Sequence, residues 1–581
     1  MRPTAVNPSD PQFHGQPELV SGRAHFEAPE LASLATSQGQ AAAWRAAFKS
    51  GAPNALAGVR GEFAVGMSGP QGSVFLAVDR FASHPVCYRV VGDRLLFGAR
   101  ADELARRQPA ADIDPQALFD YLYFHVIPSP KTIFKGVYRL PPGHCATFID
   151  GQLAVARYWH PRFEEPASVN FEASAEEFRR LLRASVAEQL DGTKPACFLS
   201  GGTDSSTVAG LVGEVGGRAA ASYSIGFDAE GYDEMQFARI AARRFGTEHH
   251  EYYVTPEDLI NSVPAVAAHF DQPFGNSSVL PAYYCALMAR DDGVSKLLAG
   301  DGGDELFGGN SRYAKQRVFG WYQHMPATLR TGMLEPALER TRLGSLPLAR
   351  KARSYVEQAR LPMPERLELY NLLLRIGSNR VFTADFLASV DTGGPLRHQV
   401  AVWEESEGSA ALNRMLAYDW RFTLSDADLP KVRGATSLAG VSVGFPFLAQ
   451  SMVDFSSRLP AEYKLKRLKL RWFFKEALRG FLPEEIIQKK KQGFGLPFGV
   501  WANSHTGLRS MARELLHGLV ERHIVKETFI TDLLGKQLPS HPGYYGEMVW
   551  ILMMLEQWMQ YQSSARSSVD PDAGLAMQAV S

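Results

Sequence analysis

A short apolar segment that ends in a glycine-containing turn constrains this chain of 581 residues most strongly. Residues 196–199 are apolar, as expected for a strand buried on both faces, and residues 207–212 resume an apolar pattern suited to a helix. Between them stands Ser-Gly-Gly-Thr-Asp-Ser-Ser. Glycines at such a join let backbone N–H groups approach an anion, and the following helix directs its positive end toward the same point. The segment therefore predicts a strand, a phosphate-binding loop and a helix.

A second segment repeats this arrangement further along the chain. Residues 295–300 predict a short strand, and an acidic, glycine-rich stretch follows at 301–309. Ligands of open parallel sheets bind outside the carboxyl ends of the strands, so Asp204 and Asp304 are expected to face one pocket. Two carboxylates there could hold Mg²⁺ against a triphosphate. Either Asp alone could instead cap a helix beside a glycine turn, but the two segments together favour the shared site.

Length and composition narrow the remaining possibilities. The chain is too long for one hydrophobic core, so two domains are expected. The hydrophobic fraction of 45%, the charged fraction of 21% and the formal net charge of -1 give no sign of a nucleic-acid partner. No segment has the pattern of a signal peptide or a membrane span, so we expect a cytoplasmic protein with no membrane partner. The four cysteines have no C-x-x-C spacing, which argues against a zinc site or a disulfide framework.

The order of elements predicts two domains of different kinds. Residues 1–160 are rich in short strand-like segments, and residues 161–173 have the polar, proline-containing composition of a linker. A helix is then expected at 174–189, because Ser174 and Glu177 have the spacing of a capping box. Strands and helices alternate from there, which predicts a parallel sheet.

The C-terminal part of the chain is expected to be mainly helical. A helical layer is predicted from 310 to about 423, and an apolar and aromatic stripe at 545–559 predicts a packed terminal helix. Two basic runs, at 464–471 and 489–491, are expected to be solvated surface, with Lys491 as the exception. Residues 563–581 have the composition of a disordered tail.

Five motifs give the chain a family resemblance. The loop at 200–206 resembles the pyrophosphate loop of ATP-pyrophosphatase enzymes, and the whole set is similar in order and spacing to that of the asparagine synthetase superfamily. The motifs are SGGTDSS, YSIGF with a following YDE, GDGGDELFGG, FPFL and KKKQGFGLP. The resemblance implies an α/β protein with an Ntn-hydrolase-like αββα sandwich at 1–160. It further implies a linker at 161–173 and a parallel-sheet ATP-pyrophosphatase (adenine nucleotide α-hydrolase-like) synthetase domain with extra helices at 174–562.

The resemblance also implies ATP and Mg²⁺ as cofactors and assigns roles to residues. Asp204 and Asp304 would hold Mg²⁺, and Lys491 would offset negative charge at the reacting centre. Asp301 stands where asparagine synthetases carry a Glu that helps to manage the acceptor and its protons. For Leu199 and Ile225, packing in the core is the alternative interpretation. The residues expected to bind ATP are Leu199, Ser200, Gly201, Gly202, Thr203, Asp204, Ser205, Ser206, Ile225, Gly226, Phe227, Asp233, Ala299 and Gly300.

The N-terminal domain departs from the glutamine-hydrolysing members of the family. Those members carry a nucleophilic Cys after the initiator Met, whose own α-amino group serves as base. This chain has Arg2 there, and none of its cysteines lies near a free amine in the sequence. Asp79 matches a glutamine-contacting Asp of the family, but without the nucleophile we expect a structural turn residue at a vestigial glutamine site. The sequence therefore predicts a domain without glutaminase activity.

The acceptor side of the site also departs from the family pattern. Charged side chains expected at four positions are replaced by Arg433, Ser442, Gly444 and Ala449. We therefore expect an amide ligase that adenylates a small-molecule or peptide carboxylate and couples it to an amine other than ammonia, as β-lactam synthetases and lasso-peptide cyclases do. Ordinary asparagine synthesis from ammonia or glutamine is one alternative, and an inactive nucleotide-binding homologue is another. A homodimer is left open.

Overall fold

The computed structural model describes residues 18–49, 56–166, 168–190, 192–330, 347–406, 408–490 and 495–567. The chain divides into two compact units. The first comprises Met1–Asp114 and Ser129–His160, and the second comprises Pro115–Pro128 and Pro161–Ser581. No helix within the described ranges is long and apolar enough to cross a membrane.

The first unit is built on antiparallel sheets. One sheet has five strands in the order β1-β2-β3-β7-β8, and a second has three in the order β5-β4-β6. The strands are β1 (Leu19–Phe26), β2 (Val59–Ser68), β3 (Val74–Val78), β4 (Cys87–Val91), β5 (Arg94–Gly98), β6 (Tyr138–Arg139), β7 (His144–Ile149) and β8 (Gln152–Arg157). The helices are α1 (Pro29–Ser37), α2 (Gln40–Lys49) and α3 (Ala101–Arg106).

Strand β3 explains why the first unit is layered. All five of its residues are buried, so both faces of the larger sheet are covered at this strand. Phe75 and Ala77 pack into a cluster that includes Trp44 of α2. Val74, Leu76 and Val78 point to the other face and join residues of the smaller sheet. This alternation places the larger sheet between a helix layer and the second sheet.

The second unit contains the predicted parallel sheet. Its five strands follow the order β11-β10-β9-β12-β13, and all four neighbouring pairs are parallel. The strand order reverses between β9 and β12, which places a crevice outside the carboxyl ends of these two strands. A two-stranded hairpin, β14-β15, completes the strands. The strands are β9 (Ala196–Phe198), β10 (Ala221–Phe227), β11 (Glu248–Val254), β12 (Lys296–Leu298), β13 (Ser442–Gly444), β14 (Leu465–Lys466) and β15 (Lys469–Leu470).

Helices make up most of the second unit. Two segments, Trp420–Asp428 and Leu533–Gln537, are π-helical. The α-helices are α4 (Pro115–Phe124), α5 (Phe171–Gln189), α6 (Thr203–Gly216), α7 (Met235–Phe245), α8 (Pro256–His269), α9 (Val279–Asp291), α10 (Gly303–Phe307), α11 (Ser311–His324), α12 (Ala327–Leu329), α13 (Pro347–Arg360), α14 (Leu372–Ile376), α15 (Ser378–Val381), α16 (Ala384–Ala388), α17 (Gly394–Glu404), α18 (Ala411–Asp419), α19 (Leu429–Ala439), α20 (Gln450–Arg458), α21 (Ala461–Lys464), α22 (Trp472–Ala477), α23 (Glu484–Gln488), α24 (Phe498–Ser504), α25 (Thr506–Glu521), α26 (Glu527–Asp532), α27 (Leu538–Ser540) and α28 (Pro542–Ser567).

Two sequence-based boundaries are wrong. Helix α5 begins at Phe171 rather than at the predicted capping box, because the side chain of Asn170 accepts a hydrogen bond from the N–H of Ala173. Residues 563–567, predicted to be part of a disordered tail, continue the terminal helix α28. The rest of that tail lies outside the described residues.

Candidate active site

The first predicted loop lies directly at the reversal of strand order. Its Gly201 has a φ of 66°, and a Cβ there would stand 2.4 Å from the backbone N of Ala238, so only glycine fits between the loop and α7. Ser205 Oγ accepts a hydrogen bond of 3.1 Å from the N–H of Ser200 and fixes the turn. Helix α6 then starts at Thr203, and within the described part of the chain no side chain caps its first N–H groups. This helix end is therefore suited to an anion.

The second loop makes room for two carboxylates. A Cβ on Gly303 would stand 2.2 Å from Asp204 Oδ1, and one on Gly309 would overlap the carboxylate of Asp304. Gly302 has a φ of 94°, in the left-handed region that favours glycine. Gly303 and Gly309 are thus required by the positions of the two carboxylates, whereas a Cβ on Gly302 would meet Leu448.

Arg471 joins the two carboxylates, although the basic run that contains it was expected at the surface. Its Nη1 donates to Asp204 Oδ2 at 2.6 Å and to Asp304 Oδ1 at 2.8 Å. The same Nη1 lies 2.9 Å from Thr203 Oγ1, and Nη2 pairs with Asp204 Oδ1. The residue is 5% exposed. Asp204 and Asp304 raise the pKa of Arg471 against the opposing effect of its burial, so the guanidinium stays charged.

The surface prediction for the basic runs holds for Lys466, Arg467, Lys469 and Lys490, which are exposed, and is wrong for Lys464, Arg471 and Lys489. The hairpin β14-β15 turns the chain back, and Arg471 follows it in a left-handed conformation with a φ of 55° that directs the chain into α22. Lys464 is fully buried, where it donates to Asn413 at 3.0 Å, and burial lowers its pKa to about 7. Lys489 pairs with Glu234 at 3.0 Å, and its side chain is 8% exposed. The spacing of apolar and charged residues in the sequence gave no sign that these basic residues have partners in distant segments.

A cavity of about 1010 Å³ opens at the carboxyl ends of β9 and β12. Its volume is at the upper end of the range typical of ligand pockets. The predicted nucleotide-binding residues that line it are Leu199, Ser200, Gly202, Thr203, Asp204, Ser205, Ile225 and Gly300. Basic side chains face the same space, namely Lys431, Lys469, Arg471, Lys475, Arg479, Lys489 and Lys490. Among the described residues, seven acidic ones line the same space, and the basic side chains of Lys431, Arg471 and Lys489 pair with some of them. The apolar walls suit a base, and the mixed charges suit phosphates that arrive with a metal cation.

Six other residues predicted to bind ATP are not among the described residues that line the cavity. Ser206 and Ala299 are buried, and Phe227 packs against Trp501. Asp233 Oδ1 accepts a hydrogen bond from the N–H of Met235 and so helps to start α7. The remaining two are Gly201, which packs against α7, and Gly226, which packs against the ring of Tyr253. These residues lie behind the lining of the cavity and do not face its interior.

Asp301 also lines the cavity, and it has its own basic partner. Lys431 Nζ lies 3.8 Å from Asp301 Oδ1 and 2.8 Å from Asp428 Oδ1. Burial raises the pKa of Asp301 to about 6, although Lys431 acts in the opposite direction. A carboxyl with such a pKa can exchange protons near neutral pH, as a general acid or base must.

The four replaced family positions do not line the described part of the cavity. Arg433 stacks over the ring of Phe445, and Ser442 donates to the backbone O of Ser295 at 3.0 Å. Gly444 leaves the space that Gln189 fills, and Ala449 precedes helix α20. Their replacement therefore changes the packing behind the site, and Asp301 is the departure that faces the ligand space.

Lys491 lies outside the described residues. Its neighbours Lys489 and Lys490 line the cavity. The role predicted for Lys491 stays a prediction.

The first unit holds the predicted glutamine-contacting residue. Asp79 is buried and accepts hydrogen bonds from the backbone N–H groups of Phe63, Phe81 and Ser83. This geometry suits a structural turn residue. The cysteines are all buried, and burial raises the pKa of Cys145 and, to about 12, that of Cys197. Such thiols are poor nucleophiles.

The two carboxylates at the loops fit a magnesium site in part. Asp204 and Asp304 offer oxygen ligands, and both reach the same nitrogen of Arg471, so they are close enough to share one cation. Across the described residues no group of three or more His, Cys, Asp and Glu could hold a metal by itself. Because Mg²⁺ is commonly held by one or two carboxylates together with substrate phosphates, this donor set suits a metal that arrives with a nucleotide.

Arg471 is the main site residue that the sequence interpretation missed. A basic residue at the end of a short hairpin carries no local sign of burial. The available signal was the excess of acidic over basic residues in the two glycine loops, which requires a cation from elsewhere in the chain.

Comparisons with known proteins show similarity over most of the chain. The family model described as asparagine synthase matches residues 177–560, and the glutamine amidotransferase domain model matches 36–159. A glutamine-hydrolysing asparagine synthetase of Bacillus subtilis is 26% identical over 492 residues, covering 83% of this chain and 74% of the relative. A second one from that organism is 24% identical, covering 82% and 74%. A relative from Mycobacterium tuberculosis is 29% identical over 401 residues, which span 67% of this chain and 59% of the relative.

Proposed function

Since the chain belongs to the asparagine synthase family, and is thus an ATP-dependent ligase that forms carbon–nitrogen bonds, we propose that it adenylates a carboxylate and couples it to an amine. The products would be an amide, AMP and pyrophosphate. The observation that carries the proposal is the convergence of the two glycine loops, with Asp204, Asp304 and Arg471, on one cavity of about 1010 Å³.

The charges around the loops support cleavage between the α- and β-phosphates. The start of α6 would receive the pyrophosphate, and Arg471 and Lys475 would offset its charge. Burial and the neighbouring Arg471 lower the pKa of Lys475, so this amine is sensitive to the arrival of an anion. Asp204 and Asp304 would hold Mg²⁺, which when bound neutralises charge on the leaving pyrophosphate.

The carboxylate to be activated would lie near Asp301 and Lys431. Lys431 is held between Asp301 and Asp428, and these carboxylates raise its pKa against the effect of burial, so it stays cationic. A fixed cation at the wall suits an anionic substrate group, and Asp301 suits proton transfer from the attacking amine.

We further propose that the enzyme has no glutaminase of its own and acts on a peptide or specialised metabolite. The four cysteines are buried, and burial raises the pKa of Cys145, Cys197 and Cys285, which disfavours their thiolate forms. The relatives named as asparagine synthetases favour a second candidate, which is asparagine formation from aspartate. Purified protein with ATP, Mg²⁺ and aspartate, supplied with either ammonium or glutamine, separates the two when pyrophosphate and asparagine are measured.

We expect no asparagine from glutamine, and we expect another carboxylate to drive exchange of labelled pyrophosphate into ATP. Efficient formation of asparagine from glutamine would overturn both the substrate and the lost-glutaminase proposals. Formation from ammonium alone would overturn only the substrate proposal. ATP binding without any pyrophosphate exchange, over a broad set of carboxylates, would instead indicate an inactive homologue.

A further inference from the structure

A second cavity, of about 330 Å³, lies beside the first within the same unit. Asn276 and Ser278, at the start of α9, line both cavities. These two residues therefore form part of the boundary between the two cavities. Neither the predicted nucleotide site nor the proposed carboxylate site uses the second cavity.

One wall of the second cavity is a residue in a strained conformation. His125 has a φ of 65°, which is uncommon outside glycine. Its N–H donates to Tyr121 O at 2.7 Å and its carbonyl accepts from Gly275 N at 2.8 Å, so the surrounding fold fixes this conformation. Backbone strain held in this way is concentrated at functional sites.

The fixed histidine faces a carboxylate. His125 Nδ1 lies 3.4 Å from Glu547 Oε1, and the two side chains are 26% and 57% exposed, so a ligand can reach both. A hydrogen bond from His125 lowers the pKa of Glu547, which keeps this carboxyl ionised. Among the described residues that line the cavity, Glu547 is the one acidic residue, and there is no Lys or Arg. The cavity is therefore suited to a cation.

The remaining walls indicate which kind of cation fits. Phe124, Phe498 and Trp550 line the cavity, although Phe498 and Trp550 are almost fully buried. Polar side chains, those of Tyr232, Asn276, Ser277 and Ser278, form part of the same wall. Ammonia needs about the space of a water molecule, roughly 30 Å³ in the liquid, so the cavity is far larger than an ammonia site requires. An apolar body with one positive charge matches both the aromatic walls and the single carboxylate.

We propose that this cavity binds the amine substrate, as a primary ammonium with an apolar body. Glu547 binds the ammonium group and the aromatic walls hold the body. To react, the amine must pass the segment of Asn276 and Ser278, which lines both cavities, and lose a proton to Asp301; its nitrogen then attacks the acyl-adenylate and displaces AMP. This inference rests on the proposed ligase function and specifies the second substrate of that reaction.

The test measures binding of a probe amine without any turnover. Benzylamine is titrated into the full-length protein by isothermal titration calorimetry, with benzyl alcohol as the uncharged probe of similar shape. Glu547→Gln removes the charge while keeping the size, and His125→Asn keeps a residue that tolerates a positive φ. Glu514→Gln on the exposed face of α25 is the control.

Glu547→Gln should weaken benzylamine binding at least about tenfold and leave benzyl alcohol binding unchanged, because a charged hydrogen bond is lost. His125→Asn should weaken it less, and Glu514→Gln should have no effect. Benzylamine affinity that is equal in the wild type and in Glu547→Gln, or no binding to the wild type, would overturn the proposal. Pyrophosphate exchange without any amine tests the ligase proposal separately, so the two can fail independently.

Discussion

The substitution Arg471→Met should destabilise the protein more than any comparable change of an exposed arginine. It removes the cation that both Asp204 and Asp304 share, and Met approximates the volume of the aliphatic stem. Breaking a buried ion pair by removing one partner costs about 3–5 kcal/mol. Because the side chains of Asp204 and Asp304 are 19% and 20% exposed, water can relieve part of this cost, and we expect about 3 kcal/mol.

The loss should depend on pH and on Mg²⁺. In the variant two carboxylates face each other, which raises the pKa of one of them above its unfolded value of about 3.9. A group whose pKa is raised by folding binds a proton in the folded state, so the variant should regain stability as the pH falls from about 7.5 toward about 5.5. Mg²⁺ should also stabilise the variant, by replacing the missing cation. Thermal unfolding at both pH values, with and without Mg²⁺, measures these effects.

Arg353→Met is the matched control. Arg353 also makes an ion pair, with Glu357 at 2.9 Å, but both side chains are more than half exposed, so its loss should cost less than about 1 kcal/mol. The reasoning is refuted if Arg471→Met unfolds at the wild-type temperature, or if its loss of stability is independent of both pH and Mg²⁺.

Four further substitutions test the chemistry of the site. Asp204→Ala and Asp304→Ala should each abolish carboxylate-dependent pyrophosphate release while the circular dichroism spectrum is retained, and full activity in either would remove the proposed metal role. Lys491→Met should leave ATP affinity nearly unchanged and slow turnover by about a hundredfold, because a charge felt in the transition state alters rate more than binding; weaker ATP binding at unchanged turnover would contradict this. Turnover of the wild type should fall below about pH 6, where Asp301 becomes protonated, and Asp301→Asn should be slow at every pH without that inflection; an inflection retained in the variant would assign it to another group.

The layout of the site could be predicted because its parts are local. Each loop directly follows a short buried strand, and a parallel sheet brings the ends of its strands to one edge. Asp204 and Asp304 therefore meet, as the two motifs predict. The start of helix α5 could not be predicted exactly, because Asn170 and Ser174 are both residue types that cap helices. The hydrogen bond from the N–H of Ala173 to Asn170 decides between them.

The charges of the site could be predicted less well because they depend on contacts between distant segments. Arg471 and Lys489 stand in basic runs whose local pattern is that of a solvated surface. They are buried because they form ion pairs with acidic residues that are far away in the sequence, namely Asp204, Asp304 and Glu234. The second cavity had no sequence signal for the same reason, because His125 and Glu547 are far apart in the sequence.

The boundary between β9 and β12 is the least paired part of the parallel sheet. These strands are paired at one position, Leu298 with Cys197, whereas β9 and β10 are paired at three. The two loops that form the candidate site follow these two strands, one on each side of this boundary. A nucleotide that contacts both loops would connect β9 and β12 at the place where the strands of the sheet are least paired. Its release should therefore loosen the contact between these two strands.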